Sequence, residues 1–265
     1  MLTAEQIAHF ETFGFIIMRQ AFKPQEMEAI SRDFDDVLDE DRQGLPFSGE
    51  KRQAVMGCIE KRPLLTKLLE DDRIYLPIEQ LLGEGFIWNG SDGNLYVGDT
   101  HWHPDGSEHD YGRIKVAFYL DPVAKDTGCL RVVPGSHHQP LHGELEPLML
   151  QRERLAATPF GVDGANLPSF PLESEPGDVV FFDQSLWHAA FGGRTGRRMF
   201  TLNFFARPLN EAHMDFVRSG YEGDLKFIKE MQHTQTDELY TQEFLNSESP
   251  RIQGMVAHIK ALGFK

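Results

Sequence analysis

Along this chain the spacing of apolar residues changes from a helical period to an alternating one near residue 86. Thr3 and Gln6 have capping-box spacing, and Ile7, Phe10 and Phe13 follow on one face, predicting a first helix that Gly14 ends. Phe15-Ile16-Ile17-Met18 reads as a short buried strand. Pro24 opens a second helix with Met27, Ile30, Phe34, Val37 and Leu38 on its apolar side. Its acidic residues between 33 and 41 form a solvated face. Gly44, Pro46 and Gly49 mark an irregular segment. A further helical region carries Leu64, Leu65, Leu68 and Leu69 on to Leu81 and Leu82, and stops at Gly83.

Beyond that point the pattern is one of short strands. Phe86-Ile87-Trp88 and Leu95-Tyr96-Val97 are expected as two strands, separated by the turn-rich run Asn89-Gly90-Ser91-Asp92-Gly93-Asn94. Residues 113–120 alternate, with Ile114, Val116, Phe118 and Leu120 on one face and Arg113, Lys115, Ala117 and Tyr119 on the other. Residues 129–133, 178–182 and 199–205 supply more strands. Residues 141–174 read as an insertion, partly helical over 146–155. Amphipathic pieces after residue 211 (Met214, Phe216, Val217; Leu225, Phe227, Ile228) predict helices. The fold class is therefore mainly β with helices, built as an antiparallel sandwich or barrel. We expect one domain over 1–265: a mainly helical part (1–85), a barrel core (86–208) and a helical C-terminal extension (209–265). That extension reads as added shell, with a lid or a homodimer contact as the alternatives.

One constellation carries chemistry. His103 and Asp105 lie two apart, so on an extended backbone both side chains leave the same face. A second imidazole must come from a distant strand, and His188 follows the apolar run 179–182. Two His and one carboxylate on one face of an octahedron, with three positions open, form the ligand set of non-haem Fe(II) oxygenases. The other His-x-Asp, His213-Met214-Asp215, falls in a predicted helix where the two side chains diverge, and reads as solvated surface. His101 and His109 flank the first motif and at most support its ligands. His137 and His138 follow a turn and read as structural or surface groups.

Composition narrows the function classes. With 40% hydrophobic residues, 20 of them Phe, the chain is globular rather than disordered. Its net charge of −15 argues against nucleic acid and anionic membranes, which need clustered Lys and Arg. Two cysteines, Cys58 and Cys129, cannot build a disulfide framework, which fits a reducing cytosol. The N-terminus lacks a basic leader, and no apolar run reaches membrane-spanning length. A soluble, cytoplasmic protein is expected.

Taken in order, several pieces resemble the phytanoyl-CoA dioxygenase family of iron- and 2-oxoglutarate-dependent oxygenases. They are the helix–strand at 10–18, His103-Pro104-Asp105, Pro176-Gly177-Asp178, His188, Arg197-Arg198, and Asp126-Thr127-Gly128-Cys129-Leu130-Arg131-Val132-Val133-Pro134-Gly135-Ser136-His137. The last stretch is the most specific of them. The resemblance implies a double-stranded β-helix (a jelly roll, or cupin-like barrel) with N-terminal helices packed on one sheet. It also implies Fe(II), 2-oxoglutarate and O2, and oxidation of a C–H bond of a small molecule with release of succinate and CO2. By resemblance His103, Asp105 and His188 match the iron ligands, and an Arg in the strand after His188 matches the anchor of the co-substrate carboxylate. A carboxylate at Asp105 favours hydroxylation or a related oxidation over halogenation.

The loop 189–196 is shorter than the family usually carries, which leaves Arg197 and Arg198 both open as that anchor. On a strand, Arg198, Phe200, Leu202 and Phe204 share a face that is apolar apart from its Arg. Arg197, Met199, Thr201, Asn203 and Phe205 form the mixed face, which suits a barrel interior holding a polar co-substrate. That reading places Arg197 inside, with Arg198 as the second choice. The competing functions are a jelly-roll metal-binding or sensor protein without oxo-acid turnover, and a protein-interaction module. The acidic balance points to a small polar or zwitterionic substrate.

Overall fold

The computed structural model describes residues 1–106, 110–153, 157–234 and 236–265. The first helix, Ala4–Phe13, has the reciprocal Thr3 and Gln6 cap and ends on Gly14 in the left-handed region. Strand β1 (Phe15–Met18) leads to the helix Pro24–Asp41, to β2 (Gln53–Met56) and to the helix Asp72–Leu82. The remaining strands are β3 (Ile87–Tyr96), β4 (Thr100–His103), β5 (Arg113–Tyr119), β6 (Leu130–Val132), β7 (Phe170–Leu172), β8 (Val179–Asp183), β9 (His188–Ala190) and β10 (Arg197–Phe205). Helices Glu211–Met231 and Pro250–Leu262 follow the last strand.

Six strands form one sheet in the order β1-β8-β5-β10-β3-β2, and four form a second in the order β4-β9-β6-β7. Every pairing between them is antiparallel. The two sheets make a jelly roll, and the alternation along each strand sets what lies on either face. Ile114, Val116 and Phe118 of β5 and Phe200, Leu202 and Phe204 of β10 point outward. There they pack against Met27, Ile30 and Phe34 of the second helix and against Ile252, Met255 and Ile259 of the last. Ala117, Tyr119, Val180, Phe182 and Met199 point inward and meet Leu130, Val132 and Leu172 of the smaller sheet. The N-terminal helices thus cover one sheet, and the C-terminal helices join the same layer.

Besides β2, a strand in the part read as helical, two features of the barrel core differ from the sequence reading. Residues 87–96 form one ten-residue strand rather than two strands and a turn. The polar run is kept extended because β10 and β2 flank it and its side chains have partners. Ser91 donates to Glu60, Asp92 accepts from Thr201, and Asn94 accepts from Arg52 at 2.9 Å. Gly93 is required by close approach, since a Cβ there would collide with Cys58 Sγ. The register with β10 skips Asn89, a bulge that absorbs the local irregularity. The second difference is β7, which lies inside the expected insertion and pairs with β6. Three residues without alternation gave no strand signal. The insertion's helical pieces are single turns, among them Leu141–Glu144 and Leu150–Glu153, while residues 154 and 155 of the expected helical stretch lie outside the described residues.

Phe118 is fully buried, stacked on Phe200 at 4.7 Å and edge-on to Phe22 at 5.4 Å. Phe118→Ala should therefore cost about 3–5 kcal/mol of unfolding free energy, read from the denaturant midpoint at constant slope. A loss below about 1 kcal/mol would show that this layer is not the core. Glu60 gives a pH-dependent counterpart. Burial pushes its carboxyl up to about 7, against hydrogen bonds from Ser91 and from Trp88 Nε1–H. The native state then holds a proton more tightly than the unfolded chain. This group's contribution is complete below about pH 4.5 and is lost as pH rises through 7, by up to about 3 kcal/mol. Glu60→Gln should flatten that part of the stability curve relative to the parent protein, and an unchanged slope would exclude Glu60 as its source.

Candidate active site and metal centre

Strands β4 and β9 pair so that His103 stands directly opposite His188, with ring centroids 4.4 Å apart. Each ring lies 2.7–2.8 Å through Nδ1 from the carbonyl two residues earlier, His101 O for His103 and Leu186 O for His188. A carbonyl only accepts, so both rings carry a proton on Nδ1, and in the neutral ring it is Nε2 that presents the lone pair. That is the tautomer a metal ligand needs. Asp105 lies just past β4, where its own N–H donates to Gln184 O at 2.8 Å. Its two carboxylate oxygens each stand 3.8 Å from one histidine Nε2. One donor atom from each of the three residues lies within 4.8 Å of the others, a set that one ion can engage. His188 opens β9 rather than closing the preceding apolar strand, because the turn 184–187 separates them.

A fourth group belongs to this cluster. Lys115, on β5, puts Nζ 2.7 Å from Asp105 Oδ2. Burial pushes Asp105 up, but Lys115, His188 and His103 outweigh it and hold the carboxyl well below the usual carboxylate range. Lys115 itself is pulled down by burial and raised further by Asp105 and Asp92, so both partners stay charged. The sequence placed Lys115 opposite the apolar face of its strand without giving it a role. A lysine sharing a face with Ala117 and Tyr119 was the available signal that this face points into the barrel.

The same four side chains open onto a cavity of about 370 Å³ that is also lined by Tyr96, Leu130, Phe182, Arg197, Met199 and Thr201. Arg197 begins β10 on its inner face and is 2% exposed, with its guanidinium 5.1 Å from the centre of the Tyr96 ring. Among the described residues its Nε and Nη1 meet no hydrogen-bond acceptor. Gly128 and Gly193 leave the space it occupies, since a Cβ on either would land on Nη1. A buried cation without an acceptor is costly unless a ligand completes it. Arg198 points the other way and is satisfied there, with Asp121 at 3.0 Å and Asp35 at 2.9 Å. The donor set and this open guanidinium fit a divalent metal beside a dicarboxylate.

The other histidines lie elsewhere. His101 contributes its carbonyl and packs its ring edge-on to Phe191 at 6.2 Å. His109 lies outside the described residues. His213 stacks on Tyr111 at 4.2 Å, and Asp215 pairs with Arg218 at 2.6 Å on the exposed helix. His137 and His138 both approach Glu11 O. Arg52, Asp92, Asp224 and Phe227 also line the cavity wall, where the sequence reading assigns them no role, because they come from the polar part of β3, the segment leading into β2 and the C-terminal extension. Cys58 and Cys129 are buried and free, and no described helix is long and apolar enough to cross a membrane.

Comparison with known proteins agrees with this architecture. An uncharacterized protein of Mycobacterium tuberculosis is 28% identical over 123 residues, which is 46% of this chain. The chain spans only 38% of that relative's length. The ectoine dioxygenase of Bordetella bronchiseptica is 25% identical, over 71% of this chain and 70% of its own length. Among solved structures, HygX of Streptomyces hygroscopicus with nickel and 2-oxoglutarate bound superposes with a TM-score of 0.63 at 17% identity, covering 79% of this chain and 88% of that one. EctD of S. alaskensis with bound iron gives 0.59 at 21%, covering 77% of each. The sequence model of phytanoyl-CoA dioxygenase matches residues 10–200, from the end of the capped first helix to the fourth residue of β10, and the chain belongs to that family.

Proposed function

We propose that this protein is a non-haem Fe(II)- and 2-oxoglutarate-dependent dioxygenase that oxidises a C–H bond of a small metabolite, acting in the cytoplasm. The observation that carries the reading is Arg197, a buried guanidinium with open donors facing the cavity that holds His103, Asp105 and His188. His103 and His188 would hold the iron through Nε2, and Asp105 through an oxygen kept ionised by its neighbours. Bound there, Fe(II) with 2-oxoglutarate and O2 supplies oxidative decarboxylation to succinate and CO2, coupled to oxidation of the C–H bond. Lys115 steadies the Asp105 carboxylate by a charge-assisted hydrogen bond. Arg197 offers the fork that matches a carboxylate, and so fixes the far end of the co-substrate. Leu130, Phe182 and Met199 line the space between and limit water.

Relatives whose names or structures record ectoine dioxygenase activity, or metal with 2-oxoglutarate, support the reading. The test is anaerobic titration of iron-loaded protein with 2-oxoglutarate, followed by succinate measurement on admitting air. Saturable binding and succinate formation are expected. Iron retention without 2-oxoglutarate binding would overturn the proposal in favour of a jelly-roll metal-binding or sensor protein.

A further inference from the structure

Among the described residues that line the cavity, one acidic group serves neither a metal nor a dicarboxylate and has no partner of its own. Asp105 faces His103, His188 and Lys115, and Arg197 faces the space a co-substrate would fill. Asp92, on β3, accepts from Thr201 Oγ1 and Asn94 Nδ2, with Arg52 3.8 Å away. Arg52 is itself committed, bonded to Asn94 and lying over the rings of Tyr96 at 4.4 Å and Phe227 at 5.6 Å. Asp224 remains. It lies on the helix Glu211–Met231, one turn before Phe227, and both residues line the cavity. Among the described residues it has no hydrogen bond or ion pair. Burial pushes its carboxyl up to about 7, with the charge of Asp92 adding to the effect and Lys115 opposing it.

We propose that Asp224, backed by Asp92, is the subsite for a protonated nitrogen of the primary substrate, so that this enzyme acts on a small amine, amidine or guanidine. The inference rests on the dioxygenase reading and extends it to the substrate. A cation placed there would pair with the Asp224 carboxylate and return it to its charged form. An anion would face Asp92 and Asp224 together. The volume, near the lower end of the roughly 300–1,000 Å³ usual for small-molecule sites, keeps the substrate small. Phe227 and Met56 supply apolar walls for its carbon skeleton. Asp224 and Phe227 fall outside the residues matched by the family model, so the C-terminal extension of this chain supplies part of this recognition.

The experiment uses three probes of one skeleton, n-butylammonium, n-butanol and butyrate. Each is titrated under argon into protein loaded with Fe(II) and 2-oxoglutarate, by calorimetry or ligand-observed NMR. The ammonium should bind about tenfold or more tightly than the alcohol, as expected of a hydrogen bond to a charged group, and butyrate weakest. Asp224→Asn, which keeps the shape and removes the ionisable group, should erase the preference while iron content and 2-oxoglutarate affinity hold. Equal binding of ammonium and alcohol to the parent protein, or a preference that survives in Asp224→Asn, overturns the subsite. Parent protein that fails to hold iron or 2-oxoglutarate would instead overturn the dioxygenase reading and the subsite with it.

Discussion

His188→Ala protein is expected to fold, to lose iron on desalting and to form no succinate. The imidazole opens β9, and its removal leaves His103 and Asp105 as a bidentate remnant with no third donor. Changing groups that only support metal ligands typically costs about 10–100-fold in affinity, so loss of a ligand itself should exceed that. His103→Ala should behave alike. Asp105 needs a gentler change, because Asp105→Ala would strand the Lys115 ammonium in a buried site. Asp105→Asn keeps a hydrogen-bond acceptor for Lys115 while removing the anionic ligand, and iron should again be lost. His213 and Asp215 lie in the first turns of their helix with other partners, and His213→Ala and Asp215→Ala should both retain full iron stoichiometry. Iron measured after anaerobic reconstitution checks the set, and parent-level affinity in His188→Ala would remove it from the site.

What the sequence revealed and what it hid follow from the range of the interactions. Capped helices and strands with one apolar face were legible, because Thr3 with Gln6, or Ile114 with Val116 and Phe118, carry their instructions within a few residues. The pairing of His103 with His188 was legible as a need for a distant imidazole, and the inward face of β10 as a mixture of Thr and Asn among apolar groups. The polar centre of β3 was misread as a turn because its compensation comes from afar. Glu60, Arg52 and Thr201 satisfy it from 31, 42 and 109 positions away. Lys115 was hidden for a similar reason. An isolated lysine on a strand normally faces water, and the carboxylates of Asp105 and Asp92 keep this one charged inside. Asp224 was further out of reach, since nothing local says that one turn of the helix Glu211–Met231 lines the cavity.

The two adjacent arginines should part company when each is replaced by methionine. Truncating one partner of a buried charge pair typically costs roughly 2–5 kcal/mol, or about 30-fold to several-thousand-fold in affinity. Arg197→Met should accordingly weaken 2-oxoglutarate binding at least about 30-fold without loss of iron, and Arg197→Lys should recover only part, because an ammonium lacks the planar fork. The apoprotein supplies a second signature with the opposite sign. Without ligand, Arg197 keeps Nε and Nη1 buried with no acceptor among the described residues, so methionine relieves a penalty and the variant should melt no lower than the parent. The parent should gain stability on adding 2-oxoglutarate, by about 2.7 kcal/mol at a hundred times the dissociation constant, and Arg197→Met should gain almost none at that concentration. Arg198→Met should reverse both results. It removes the cation shared by Asp121 and Asp35, lowering stability, while 2-oxoglutarate affinity stays at the parent value. Thermal shifts of the metal-loaded proteins, with and without 2-oxoglutarate, read all of these outcomes. A loss of affinity in Arg198→Met with none in Arg197→Met would place the co-substrate anchor on the other face of β10.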